Sequence, residues 1–336
     1  MILTRGARIT GAVLCVLLAV IVAGWLVRDL QAVDDPGQLW KYWAGYYEMY
    51  EMRPAVLPTT SADDAMLLVA YVVAAVAALR SSVAGTVLVA TGVVTLAMRL
   101  PGLWNIGESR MDAAYSDDLR TRALVCAFVA LAAGIALIIT AGAGRRPPRD
   151  FSEVTPGRPG QGAGVTAFLL LGAAGAVVIA WEIRQAVRFP EFYPDWYLGG
   201  NRAIQALTDP PPGWSSALVA LLCLYAGTSA LCRAVHARPF GMIAAGALLS
   251  SGVLGVARAV HYDFLDHFGD LPTEEQLAVL TWFFEVVTGA VVLIVLARRG
   301  TADAPAQPHQ GYGQGYGYPR SGVFGPPPPS QPPPGW

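Results

Sequence analysis

Eight runs of apolar positions, separated by short polar segments, occupy about residues 9–27, 62–79, 82–98, 121–143, 163–181, 215–235, 240–257 and 274–297. A hydrocarbon core ~30 Å thick is crossed by about 20 helical residues, with ~17 as the lower bound, so each run predicts one membrane helix. Local signals mark several starts. Thr273 followed by Gln276 reads as a capping box, and Ser61, Ser116 and Ser215 stand where they could cap the second, fourth and sixth helices. Small residues recur at close spacing inside the runs, as in Gly85 and Gly92 or Gly252 and Gly255. Such positions let membrane helices approach closely, so a compact bundle is expected.

The first four runs resemble the last four. Gly45 matches Gly199, Pro58 matches Pro212, Ser61 matches Ser215, Tyr71 matches Tyr225, Arg80 matches Arg233, Arg99 matches Arg258, and Arg145 with Arg146 matches Arg298 with Arg299. Trp25 and Arg28 at the end of the first run recur as Trp181 and Arg184 at the end of the fifth. The fifth run lies mid-chain, so its mate is expected to be a permanent helix and not a cleaved leader. Each half has an even number of crossings, so both copies would insert the same way up, as parallel repeats do. The expected fold is therefore all-α: eight transmembrane helices as two tandem parallel four-helix repeats, with a disordered C-terminal tail. The boundaries are 1–8 for the N-terminal segment, 9–143 for the first repeat, 144–162 for an unstructured linker, 163–300 for the second repeat and 301–336 for the tail.

Composition strengthens the membrane reading. Charged residues make up 14% of the chain, against roughly 25% in soluble domains. The balance of 23 basic and 24 acidic residues leaves no polybasic patch, which argues against a nucleic-acid partner. Cys15, Cys126, Cys223 and Cys232 lie within apolar runs and lack the spacing of a redox or zinc site. Charge is informative about orientation. With the N-terminus inside, the inner segments gather Arg5, Arg8, Arg80, Arg145, Arg146, Arg149, Arg158, Arg233, Arg238, Arg298, Arg299 and Arg320 against Asp150, Glu153 and Asp303. An excess of arginine in short inner loops sets insertion, so both termini are expected in the cytoplasm and the protein in the plasma membrane.

Two long outer loops carry aromatic residues. In the first, Asp35 is placed to cap a helix with Pro36 at its first position. Leu39, Trp43, Tyr46, Tyr47 and Tyr50 would share one face of it, with Lys41, Ala44, Glu48 and Glu51 on another, as in an interfacial helix. Phe192, Tyr193, Trp196 and Tyr197 form a shorter counterpart in the second, before an expected helix near residues 201–207. Residues 301–336 then turn to Pro, Gly, Gln and Tyr, a composition that cannot bury enough apolar surface to fold. The tail is a candidate docking segment for a protein partner, with polyproline II near Pro326 to Pro329 and Pro332 to Pro334.

Candidate chemistry is sparse. Arg28, Arg99, Arg184 and Arg258 end the outward-going helices; they either snorkel to phosphates or, if they converge, form an outer site for an anionic small molecule or lipid headgroup. Asp263, Asp266, His267 and Asp270 would share one face of a helix and suit a divalent ion, although they match no named metal motif. Glu285 stands near the centre of the last run, flanked by Thr281 and Thr288. An ionised group at that depth costs roughly 2.5–3.5 kcal/mol, so the stripe should turn inward, toward Tyr225, Ser250 or Ser251. There it would lock the bundle or couple a proton or cation to transport. No Walker loop, nucleophile elbow or HExxH is present, and no cofactor is implied.

Asp34 and Asp35, directly after the first helix, resemble the acidic pair of polytopic glycosyltransferases that use polyprenyl-phosphate sugar donors. The resemblance covers about ten residues, and it implies an outer-face transferase; those enzymes usually have more spans and no tandem four-helix repeat. The leading expectation is a non-catalytic membrane protein, a complex subunit or envelope sensor. A small-molecule or ion-coupled transporter is the alternative, followed by the lipid-linked-sugar glycosyltransferase.

Overall fold

The computed structural model describes residues 2–46, 57–147, 157–200 and 205–298. Tyr47, Glu48, Tyr50, Glu51 and the tail from residue 301 lie outside these segments, as do residues 201–204 of the expected second-loop helix. Eight described helices are long and apolar enough to cross a membrane, which makes this a multi-pass membrane protein. They are α1 (Arg5–Ala32), α3 (Ala62–Arg80), the stretch Ala84–Asn105 that begins with α4 (Ala84–Arg99), α7 (Asp117–Ala143), α8 (Gln161–Arg188), α10 (Pro212–Leu231), α11 (Ala237–His261) and α12 (Thr273–Ala297). Four short helices sit between them at one end of the bundle, called the cap end here: α2 (Pro36–Ala44), α5 (Gly102–Asn105), α6 (Ser109–Ala114) and α9 (Tyr193–Leu198). At the opposite, base end, β1 (Ile2–Leu3) pairs antiparallel with β2 (Arg145–Arg146), Ile2 facing Arg146. Part of the expected unstructured linker is thus ordered against the N-terminus.

Helix starts follow side-chain chemistry where it is available. Thr4 begins α1 by accepting from Ala7 N, and Ser116 begins α7 by accepting from Leu119 N. Ser61 begins α3 in a capping box whose other member is Asp64. Two expected caps are displaced. Ser215 lies inside α10, because Pro212 has the backbone angle of a first helical residue and starts the helix a turn earlier. Thr273 is already helical; the Gln276 amide bonds Phe268 O and Leu271 O, each at 3.0 Å, and does not close a capping box. The helices overrun the apolar runs as well. α1 and α8 have 28 residues each, ~42 Å at 1.5 Å per residue, so their ends stand beyond a ~30 Å core.

The bundle is small inside and large outside. Ala78, Ala84, Ala141, Ala167, Ala226, Ala230 and Ala244 are completely buried, whereas Val20, Val69, Ile139 and Leu221 are more than 60% exposed on the surface. In a bilayer that surface meets lipid, so the burial of large side chains, which drives soluble folding, is replaced by close helix approach. At the crossing of α4 and α7, a Cβ on Gly92 would lie 2.7 Å from Gly134 O, so a larger residue there would force the helices apart.

Within residues 1–143, α1 packs on α3, α3 on α4, α4 on α7 and α7 back on α1. Within 161–297, α8 packs on α10, α10 on α11, α11 on α12 and α12 back on α8. The two rings meet mainly where α11 lies against α3, α4 and α2. Further bonds join them at the cap end: Trp214 Nε1 donates to Ala97 O and Trp104 Nε1 donates to Leu198 O, both at 2.8 Å.

Candidate functional site

The densest polar constellation lies at the cap end, where residues distant in the sequence meet. Asp29, 1% exposed, ends α1. Its carboxylate accepts from Arg28 Nη1 (2.8 Å), Thr59 N (2.9 Å), Thr59 Oγ1 (2.7 Å), Thr60 N (2.8 Å) and Thr60 Oγ1 (2.6 Å). Five donors on one carboxylate make it the anchor for the chain entering α3. Asp64, one turn into α3, faces Arg99 at the end of α4, with Arg99 Nη2 2.5 Å from Asp64 Oδ1. Arg99 Nη1 donates to Thr208 O at 2.7 Å. The Thr208 hydroxyl lies 2.6 Å from Asp64 Oδ2 and 2.8 Å from Thr59 O. Asp209 accepts from Ser61 Oγ at 2.7 Å. The segment before α10 is therefore clasped between the starts of α3 and the end of α4.

Charge in this clasp is unbalanced, since Asp63, Asp64 and Asp209 surround one guanidinium. Asp209 holds its proton well above the usual carboxylate range. Withdrawal from water is the main cause, followed by Asp64 and then Asp63; the Ser61 hydroxyl and Arg99 pull the other way. Nearby, Tyr115 donates to Pro58 O at 2.9 Å, and burial pushes its phenol up. Asn105 is buried beside Gly199, and both its side-chain polar atoms are without a partner among the described residues.

The four arginines do not converge on one site. Arg28 and Arg99 belong to the clasp. Arg184 pairs with Glu274 and lies 5.4 Å from the Trp181 ring. Arg258 Nε donates to Ala44 O at 2.8 Å and lies 5.7 Å from the Trp282 ring, fastening α2 to α11. Asp263, Asp266, His267 and Asp270 do not share a helical face: Asp263 adopts φ 54°, turns follow it, and Phe268–Asp270 is a short 3-10 turn. All four are exposed, and no group of three or more metal-ligating side chains forms among the described residues. Asp34 and Asp35 are exposed too; Asp35 accepts from Gly37 N at 3.0 Å and so caps α2.

Glu285 turns inward, 8% exposed, toward Cys223 on α10 and Ser251 on α11. Its Oε2 and the hydroxyl of Thr288, which is 0% exposed, have no hydrogen-bond partner among the described residues. Thr281 instead accepts from Trp181 Nε1 at 3.1 Å. Tyr225 instead stacks on His236 and meets Phe240 edge-on, nearer the base end.

Between the two rings lies a cleft of about 700 Å³. α3 contributes Met66, Val69, Val73 and small residues between them, α11 contributes Met242, Gly246 and Val253, and Trp40 and Trp43 of α2 close its cap end. Its polar lining is confined to Ser81, Thr91, Arg238 and Ser250. Of these features the sequence marked Arg28, Arg99, Arg184, Arg258, Ser61, Thr281, Glu285 and Thr288, and it missed Asp29, Asp64, Asp209 and the cleft. The chain matches no protein-family model, no curated protein and no solved structure.

Proposed function

We propose that the protein is a non-catalytic component of the plasma membrane, a complex subunit or envelope sensor that presents a fixed cap at the outer face. The observation that carries this reading is the clasp of Asp64, Arg99 and Thr208. A carrier that alternates its access by rocking one half against the other must change the contacts between them. Here that motion would pull Thr208 away from the pair of Asp64, 2% accessible, and Arg99, 10% accessible, and break the bonds its hydroxyl and carbonyl make with them. It would also break the bonds of Trp214, Trp104 and Arg258. The predominantly apolar lining of the cleft gives a polar solute almost nothing to bind.

The matching order of helix contacts in the two rings supports two tandem parallel repeats, and the base end, which holds arginines but no carboxylate among the described residues, supports cytoplasmic termini. Spin labels at Ser109 and Glu275, on opposite halves, test the fixed cap. One narrow distance distribution in vesicles at every pH and ion composition is expected; two interconverting distances would overturn it. For the orientation, a cysteine at Glu191 should react with an impermeant reagent from outside and one at Gln307 should not.

Coupled transport is favoured by one specific observation, the unpartnered Glu285 Oε2 and Thr288 hydroxyl deep in the second ring. The glycosyltransferase reading has less support, because Asp35 is engaged in capping α2.

A further inference from the structure

The cleft between α3 and α11 is open to the surface: Val69, Val73 and Val253 of its lining are 62%, 49% and 41% exposed, on helices apolar enough to cross a membrane. Its lining runs from Ala62 at the cap end to Ser81 at the base end, about 29 Å along α3 at ~1.5 Å per residue. A volume of about 700 Å³ over that length is a mean cross-section of roughly 24 Å², about 5 Å across, short of the ~10–12 Å of a helix with its side chains. A partner's membrane helix does not fit, whereas an extended hydrocarbon chain does. The apolar walls suit such a chain, and Gly246 keeps the middle open: a Cβ there would meet only Met66 Cγ, at 3.9 Å.

The two mouths differ in chemistry. At the cap end stand the indole rings of Trp40 and Trp43, with Trp43 Nε1 donating to Thr60 O at 2.9 Å. At the base end stands Arg238, whose guanidinium donates to Leu296 O (2.9 Å), Ala297 O (3.2 Å) and Arg298 O (2.7 Å). These carbonyls fix its position, yet no carboxylate pairs with it among the described residues. Arg80 and Arg298 adjoin the lining residues Ser81 and Ala297 in sequence. The base mouth is thus cationic around an apolar slot, which fits a phosphate above a hydrocarbon chain.

We propose that this cleft is a binding site for an anionic phospholipid, with one acyl chain lying between α3 and α11 and the headgroup phosphate at Arg238. The test uses the full chain in nanodiscs of phosphatidylcholine with one tenth phosphatidylglycerol. Lipid retained after transfer to detergent is counted by native mass spectrometry. The intact protein is expected to retain one phosphatidylglycerol, enriched at least fivefold over phosphatidylcholine. Arg238→Gln should abolish that enrichment. Gly246→Trp and Val69→Trp, which add rings to open space and leave the packed core alone, should retain neither lipid. Because Arg238 also holds the end of α12, each variant is compared by circular dichroism and size exclusion, and the Trp variants decide the outcome if Arg238→Gln unfolds. Equal retention of the two lipids by the intact protein, or unchanged phosphatidylglycerol in both Trp variants, would overturn the proposal.

Discussion

Replacing Arg99 by Met tests whether the cap-end clasp stabilises the fold. The substitution keeps most of the aliphatic stem and removes the charge that faces Asp64 at 2.5 Å and bonds Thr208 O at 2.7 Å. Asp64 is 2% exposed and cannot recover water, and Asp63 and Asp209 lie close by. Removing one partner of a buried pair costs about 3–5 kcal/mol, because the other charge stays buried. Equilibrium unfolding in mixed micelles, driven by a denaturing detergent, would read that loss. Asp64→Asn in the Arg99→Met background should restore part of it, since a neutral amide tolerates the apolar neighbour. A loss below ~1 kcal/mol, the range of an exposed surface pair, would refute the clasp as a stabilising element.

Stability should also fall as pH rises above the ordinary carboxylate range and through the raised value of Asp209, since the folded state holds a proton there that the unfolded chain releases; Asp209→Asn should flatten that slope, and an unchanged pH profile would remove Asp209 as its source. Asp29→Asn should cost about 2–3 kcal/mol in the same titration, because an amide nitrogen cannot accept from the donors now shared by two oxygens. Gly199→Ala should cost about 1–3 kcal/mol: Gly199 holds φ 78° and ψ 148°, a region nearly closed to other residues, and its new Cβ would run into Asn105. Glu285→Gln keeps the hydrogen-bonding shape; unchanged stability together with lost function in a working assay would support coupling, whereas retained function would leave Glu285 structural.

What the sequence discloses follows from what the bilayer constrains. A membrane helix needs one long apolar run, so all eight crossings are legible, and short-range caps such as those at Ser61 and Ser116 are legible where no proline intervenes. The depth of Glu285 and its inward turn can be read because charge is costly there. Partner identity is another matter. Asp64 reads locally as the third residue of a capping box, and it fills that role, yet Arg99 and Thr208 come to it from 35 and 144 positions away. Asp29 reads as the polar end of a span, and nothing in its neighbours announces the donors at Thr59 and Thr60. The proposed helical face of Asp263, Asp266, His267 and Asp270 fails for a local reason: the chain leaves α11 through a left-handed residue at Asp263, and spacing alone does not reveal that a helix has ended. The cleft is the least legible feature. In water, an apolar stripe must find a protein partner, so its presence predicts packing. In a bilayer, lipid serves as well, and Val69 and Val73 look the same whether they meet a helix or face an open slot. Only the three-dimensional placement of Gly246 and Arg238 opposite them distinguishes a gap with a charged mouth from one more helix contact.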